Sequence, residues 1–213
     1  MKKIVAFFAA FSVAIAAFAQ TPEEIVNKMD EVMNKLGDKG LRMTTDTKIP
    51  IVGTTTTTTY TLGNKVRMEW KLMGKKAITW IEGNTNWIYV PEENTVTIKN
   101  LDTQMTPSEL KNSNLENMEV FENITDGYDV FMKKETDKAW YLQCKKNKSN
   151  KEKNAPKTMD IVVAKGTYYP ISLSTKLFGL TLTMRDFKFN ITEKDVTFNK
   201  ADYPGVTIID ERK

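Results

Sequence analysis

The chain has 213 residues, with 31 Lys and Arg against 27 Asp and Glu, a single cysteine and no histidine. The missing histidine removes the commonest general base, the serine–histidine pair and most zinc sites, and a net charge of +4 is small for a nucleic-acid binder. Cys144 has no partner for an intramolecular disulfide, so the core must cohere by packing; a buried, inert thiol is the expected state and a disulfide-linked dimer the alternative.

Lys2 and Lys3 precede an apolar run from Ile4 to Phe18, and Ala17-Phe18-Ala19 supplies the small residues of a cleavage site. This pattern predicts a secretory signal peptide over residues 1–19. The run is short of the ~20 apolar residues of a spanning helix, and no cysteine stands near the cleavage point to carry a lipid anchor. The predicted mature chain, residues 20–213, then has 29 basic and 27 acidic residues and the length of one domain.

Thr21-Pro22-Glu23-Glu24 reads as a capping box with proline at the first helical position. Ile25, Met29, Val32, Met33 and Leu36 follow at helical spacing, and Gly37 or Gly40 is the expected stop. From Leu41 to Leu101 the period becomes two. Val66, Met68, Trp70 and Leu72 alternate with Arg67, Glu69 and Lys71, placing apolar and charged side chains on opposite faces of a strand. The Thr54 to Thr59 run has high β-propensity. Gly63-Asn64, Gly74-Lys75, Gly83-Asn84 and Glu92-Glu93-Asn94 punctuate the region as turns, which predicts an antiparallel meander.

A second capping box, Thr106-Pro107-Ser108-Glu109, precedes Leu110, Leu115, Met118 and Phe121 and predicts one or two short helices interrupting the sheet. Strands are expected again over Tyr128 to Met132, Ala139 to Lys145, Met159 to Val163, Ile171 to Leu177, Thr181 to Asn190 and Val206 to Ile209. The stretch from Lys145 to Lys157 holds six lysines and no large apolar residue. A solvated hairpin loop explains them, and a docking patch for an acidic partner or lipid headgroup is the alternative. The triplets beginning at Asn123 and Asn190 match a glycosylation acceptor, a pattern that arises often by chance.

The predicted fold class is mainly β within α+β: a curved antiparallel sheet forming an incomplete barrel, with an N-terminal helix and a short helical lid. Asp160, Asp186, Asp195 and Asp210 occur singly, and no phosphate loop, nucleophile elbow or dinucleotide turn is present. No catalytic residue, metal site or cofactor is therefore expected. Met68, Met105, Met118, Met132 and Met184 fall on or near the predicted inner face, either as an adaptable pocket lining or as core filler. Trp70, Trp80, Trp87 and Trp140 carry the same two readings.

Glu82-Gly83-Asn84-Thr85-Asn86-Trp87-Ile88-Tyr89-Val90-Pro91, continuing to Val96-Thr97, resembles the D-G-K-x-x-W-x-Y-x-P…V-T hairpin of the periplasmic outer-membrane lipoprotein carriers, the LolA family. Val66-Arg67-Met68-Glu69 stands where that family has an F-R-W-E-like strand. Val196-Thr197-Phe198 through Pro204-Gly205-Val206-Thr207-Ile208-Ile209-Asp210 resembles its closing F-x-F-x-x-P-x-G-V-x-V-x-D. The resemblance implies a half-barrel with a hydrophobic cavity under a helical lid, and a carrier that shields lipoprotein acyl chains between the inner and outer membranes. It implies as partners acylated lipoproteins, an inner-membrane lipoprotein-release complex and an outer-membrane acceptor, and a monomer in the periplasm that binds no nucleic acid.

By position, the resemblance places Val66, Met68, Trp70, Leu72, Ile78, Trp80, Tyr89, Leu182 and Met184 in the cavity, and Leu101, Met105, Leu110, Leu115 and Met118 in the lid. The stretch Leu62-Gly63-Asn64-Lys65 lacks the arginine–proline pair that the family places before this strand, so lid locking by that arginine does not transfer. A periplasmic lipid- or glycolipid-binding or envelope-sensing module of the same fold is the alternative function.

Overall fold

The computed structural model of the chain describes residues 20–37, 39–72, 74–101 and 124–212. The expected signal peptide and the second capping box lie outside these residues.

The first helix, α1 (Pro22–Gly37), begins as the sequence dictates. The Thr21 backbone N–H donates to Glu24 Oε2 at 3.1 Å and the Glu24 N–H to Thr21 Oγ1 at 3.2 Å, the reciprocal bonds of a capping box. Ile25, Val26, Met29 and Met33 are its fully buried apolar residues, whereas Val32 and Leu36 are only half-buried. The buried stripe is thus rotated towards Val26 from the spacing read in the sequence. Each buried side chain contributes about 1.5–3 kcal/mol of transfer free energy, set against the entropy of ordering the helix.

Among the described residues twelve strands follow: β1 (Leu41–Ile49), β2 (Gly53–Leu62), β3 (Lys65–Leu72), β4 (Lys75–Glu82), β5 (Thr85–Val90), β6 (Thr95–Asn100), β7 (Tyr128–Glu135), β8 (Ala139–Lys146), β9 (Thr158–Ala164), β10 (Pro170–Leu177), β11 (Leu180–Phe189) and β12 (Thr207–Asp210), with a helical turn, α2 (Glu193–Val196), before the last. They form one sheet in the order β12-β6-β5-β4-β3-β2-β1-β11-β10-β9-β8-β7. Two meanders, β1 to β6 and β7 to β11, are joined where β11 pairs with β1. The chain then crosses back over the first meander, and β12 adds beside β6 in parallel. This parallel pair and the β11–β1 pair are the features that hairpin reading does not predict, because hairpins join only sequence neighbours, and those antiparallel. The fold is therefore mixed α+β, an N-terminal helix with a large, mostly antiparallel sheet.

Two cores flank that sheet on opposite sides. Under α1, its four buried apolar residues meet Leu41, Val130, Leu142, Cys144, Ile161, Val163 and Leu173, with Met43, Met132, Trp140, Met184, Phe187 and Phe189 around them. The second core forms where the returning C-terminal segment covers β4 to β6: Val96, Ile98 and Val206 pack with Trp87, Tyr89, Phe198 and Tyr203. Trp80 is 3% exposed there, meeting the Phe198 ring edge-on at 5.3 Å and the Tyr203 ring at 5.6 Å.

Cys144 lies in the first core with no exposure. Burial pushes its thiol up to about 12, with Asp30, Asp160 and Glu23 adding in the same direction. A thiolate is the reactive form, so a thiol reagent at pH 8 is expected to leave the native protein unlabelled and to label one equivalent once urea unfolds it. Rapid labelling of the native protein would contradict this burial.

Candidate functional site

Residues directly opposite across two strands share a face, and successive residues alternate. Val66, Met68 and Trp70 of β3 stand opposite Thr61, Thr59 and Thr57 of β2, which stand opposite Leu41, Met43 and Thr45 of β1. Thr45 and Thr47 in turn stand opposite Met184 and Leu182 of β11. Leu41, Met43 and Met184 pack under α1. The row from Val66 to Leu182 therefore belongs to the helix-bearing face, and the register brings these five of the sequence candidates together there.

The turn between Leu72 and Lys75 holds two residues, so across it even numbers pair with odd. Val66, Met68 and Trp70 stand opposite Ile81, Thr79 and Ala77, and Ile81 and Thr79 opposite Asn86 and Ile88. Over β3 to β5 the helix-bearing face is thus mainly apolar, and among the described residues Val66, Met68, Trp70, Ile81 and Ile88 belong to neither core cluster. Val66 is 7% exposed and Thr79 6%; Met68, Trp70, Ile81 and Ile88 are half-buried. The Trp70 indole N–H donates to Thr79 Oγ1 at 3.3 Å, which fixes the ring over the strand. Between this stretch and Leu182 and Met184 runs a strip of threonines from β1 and β2, including Thr45, Thr47, Thr57 and Thr59. Their methyl and hydroxyl groups give the wall a mildly polar middle between apolar flanks.

The same register separates Ile78, Trp80 and Tyr89 from this row. Trp80 stands opposite Arg67 and Trp87, and Ile78 opposite Glu69 and Tyr89, so all three point to the face covered by the C-terminal segment. Tyr89 packs on Tyr203 at 4.5 Å and its hydroxyl donates to Asn94 Oδ1 at 3.3 Å. The reason is the odd turn sum, and a signal for it exists in the sequence: Ala77-Ile78-Thr79-Trp80-Ile81 and Trp87-Ile88-Tyr89-Val90 do not alternate. Such unbroken runs belong to strands covered on both faces. Leu72 is the last residue of β3. Leu101 is half-buried beyond β6, its N–H donating to the Asn84 carbonyl at 3.0 Å; Met105, Leu110, Leu115 and Met118 lie outside the described residues.

Arg67 has a structural setting on the second face. Its guanidinium lies 5.0 Å from the Tyr60 ring and 5.7 Å from Trp80, donates to the Asp195 carbonyl at 3.4 Å and pairs with Glu69 at 2.5 Å. Beside it, Lys65 Nζ is 2.7 Å from Glu193 and 3.0 Å from Glu82. Hydrogen bonding to Lys65 holds the Glu193 carboxyl below its ordinary range. These half-exposed pairs position α2 across β2 and β3 more than they stabilise it.

The lysine-rich connection between β8 and β9 borders an open depression of about 890 Å³ lined by Asp129, Lys146, Asn147, Lys148, Ser149 and Lys157. Its lining residues are all polar or charged, and none belongs to the apolar stretch. Among the described residues no three cysteine or carboxylate side chains converge to hold a metal ion, and no helix is long and apolar enough to cross a membrane.

Fold and site together define a mixed α+β protein built on one large sheet, whose helix-bearing face carries, among the described residues, an apolar stretch outside both core clusters. The lipoprotein LppX of Mycobacterium tuberculosis has this fold: the likeness covers 81% of this chain and 98% of that one at a TM-score of 0.54 and 12% identity. More distant likenesses are an uncharacterized conserved protein from Thermus thermophilus (90% of this chain, 100% of that one, TM-score 0.44, 14% identity) and a LolA superfamily protein from Nitrosomonas europaea (84%, 99%, 0.32 and 13%). No family model and no curated protein matches the sequence.

Proposed function

We propose that the protein is a periplasmic carrier that shields the acyl chains of lipoproteins on the helix-bearing face of its sheet. The observation that carries this reading is the apolar stretch of Val66, Met68, Trp70, Ile81 and Ile88, which among the described residues joins neither core cluster yet shares its face with Leu182 and Met184. The ordered likeness of its hairpin and closing segment to the lipoprotein carriers supports it, as does the shared fold with LppX. In this reading residues 1–19 are removed on export, the sheet curls into an incomplete barrel around the acyl chains, and the segment from Leu101 to Met118 forms the lid. Acylated lipoproteins are the cargo, taken from an inner-membrane release complex and passed to an outer-membrane acceptor, and the carrier works as a monomer.

The physical case is simple. Exposed acyl chains cost roughly 0.8 kcal/mol per CH₂ in water, so they cannot cross an aqueous space unshielded. Flexible Met68 and Met184 accommodate variable chain packing. The threonine strip offers hydroxyl partners to the ester groups that accompany acyl chains without the cost of burying a charge.

A fluorescent fatty-acid analogue is expected to bind the protein and to take up energy from Trp70. Met68→Asp places a carboxylate in the apolar stretch and is expected to weaken binding about tenfold or more, since desolvating an unpaired charge is costly. An unchanged affinity in Met68→Asp, or no uptake by the unaltered protein, would sink the proposal.

A further inference from the structure

Two hairpin tips at one end of the sheet break the chemistry that turns normally follow. The β1–β2 hairpin closes from Ile49 to Gly53 through Pro50, Ile51 and Val52, with the Val52 N–H donating to the Pro50 carbonyl at 2.8 Å. Ile51 sits at the tip with φ +70, a conformation that is a true outlier for a β-branched residue, and its side chain is fully exposed at 108%. The β10–β11 hairpin turns on Phe178 and Gly179 between Leu177 and Leu180, at φ +50 and +80. A two-residue turn of this kind favours asparagine or glycine at its first position; here it is a phenylalanine, 76% exposed.

The opposite end of the same sheet provides the contrast. Its β2–β3 and β4–β5 turns are Gly63-Asn64 and Gly83-Asn84, polar and exposed. Local backbone energetics therefore do not explain Ile51 and Phe178, and neither does a core, since both point into solvent. Strained, exposed apolar residues of this kind mark function more often than stability.

The two tips are neighbours. β1 pairs with β11, and Lys48 of β1 and Lys176 of β10 both stand opposite Thr181, so each apolar tip has an exposed lysine at its base. No Asp or Glu occurs from Thr47 to Leu62 or from Pro170 to Met184. The β8–β9 connection opens at the same end, since Lys145 pairs with Thr158 and Thr175 with Met159, and it adds exposed Lys148, Lys151 and Lys153 to that rim. Aliphatic and aromatic residues projecting singly above a ring of lysines match an anionic lipid surface, where the side chains enter the acyl boundary and the ammonium groups meet headgroup phosphates. A protein partner is a poorer fit. Three side chains, of which even the aromatic one buries only about 150–250 Å², fall short of the ~800 Å² per partner of a stable protein interface.

We propose that the paired tips formed by Ile51, Val52 and Phe178, bracketed by Lys48 and Lys176, dock the protein transiently on anionic membrane surfaces. This inference concerns the rim of the sheet and stands apart from what its helix-bearing face holds.

The test uses the chain from Gln20 to Lys213, in which both cores and the twelve described strands lie, mixed with vesicles of phosphatidylcholine alone or with an equal part of phosphatidylglycerol. Cosedimentation with the anionic vesicles is expected, weakening as salt is raised. Ile51→Asn with Phe178→Asn should reduce it about tenfold or more while the melting temperature holds or rises, because asparagine tolerates positive φ. Lys48→Gln with Lys176→Gln should lower binding to the anionic vesicles and weaken its salt dependence. Unchanged sedimentation of the asparagine variant, or an unaltered protein that stays in the supernatant, would overturn the proposal. So would a dimer that the asparagine variant dissolves, since a second copy of the chain would then be what covers the tips.

Discussion

Replacing Trp80 with alanine is expected to cost about 3–5 kcal/mol of stability, the loss typical of emptying a packed aromatic site. Trp80 is 3% exposed, and its ring holds Phe198 and Tyr203 edge-on, so the cavity would open beneath the returning C-terminal segment. Urea unfolding followed by circular dichroism measures the loss as a fall in the midpoint at constant slope. Trp80→Phe keeps most of the packing and should cost clearly less. Because Trp80 and Met68 lie on opposite faces, the Phe variant is expected to take up the fatty-acid probe normally. A fall in uptake with no fall in stability would mean that Trp80 meets the ligand, contrary to its place in the second core.

Gly40→Ala should be nearly as damaging, for a different reason. Gly40 connects α1 to β1 at φ +75, and a Cβ there would stand 2.7 Å from the Thr61 carbonyl oxygen and 2.8 Å from the Ile191 Cβ. The left-handed backbone alone costs an L-residue about 1–2 kcal/mol, and the clash adds the about 1–3 kcal/mol of an overpacked site. Gly83 separates the two contributions. Its φ is +56 with nothing within 4 Å of the added atom, so Gly83→Ala should show the backbone cost without the clash. Equal midpoints for the two variants in urea would contradict the close approach of Thr61 and Ile191 to the helix–strand junction.

Gly40 also illustrates how much of the architecture was legible. The sequence marks Gly37 or Gly40 as the end of the helix, and the helix does stop at Gly37. The tight contact with Ile191, some 150 residues away along the chain, has no local signal. The hairpins from β2 to β6 were legible, because Gly63, Gly74, Gly83 and Asn94 supply the positive φ that their turns need; the β1–β2 turn at Ile51 carried no such signal. The second meander was equally legible from its alternation of apolar and polar residues.

The candidate site was legible only within single strands. Alternation correctly groups Val66, Met68 and Trp70, but numbering parity does not carry across a two-residue turn, and Ile78, Trp80 and Tyr89 fall on the other face for that reason. Ile81 and Ile88, which share the face of Met68, were missed by the same step. Arg67 alternates with the apolar residues of β3 and reads as a solvated charge. In the fold it lies against Tyr60 and Trp80 and bonds the Asp195 carbonyl, a setting created by a segment more than a hundred residues later.

The sequence by itself determined the opening capping box, the strands, the glycine and asparagine turns of the first meander and the absence of histidine chemistry, because each rests on residue identity or on interactions among residues a few positions apart. The tertiary structure decided what those strands are beside and what covers them. Pairing β11 with β1 and returning β12 to β6 are choices among many antiparallel and parallel partners of similar local merit. They are settled by the burial of Trp80, Tyr89, Val96 and Ile98 beneath Phe198 and Tyr203 on one face, and of Ile25, Met29 and Met33 on the other. Hydrophobic burial is non-directional and sums over distant residues, so which apolar side chains fill a core and which are left to line a surface emerges only when the whole sheet is assembled.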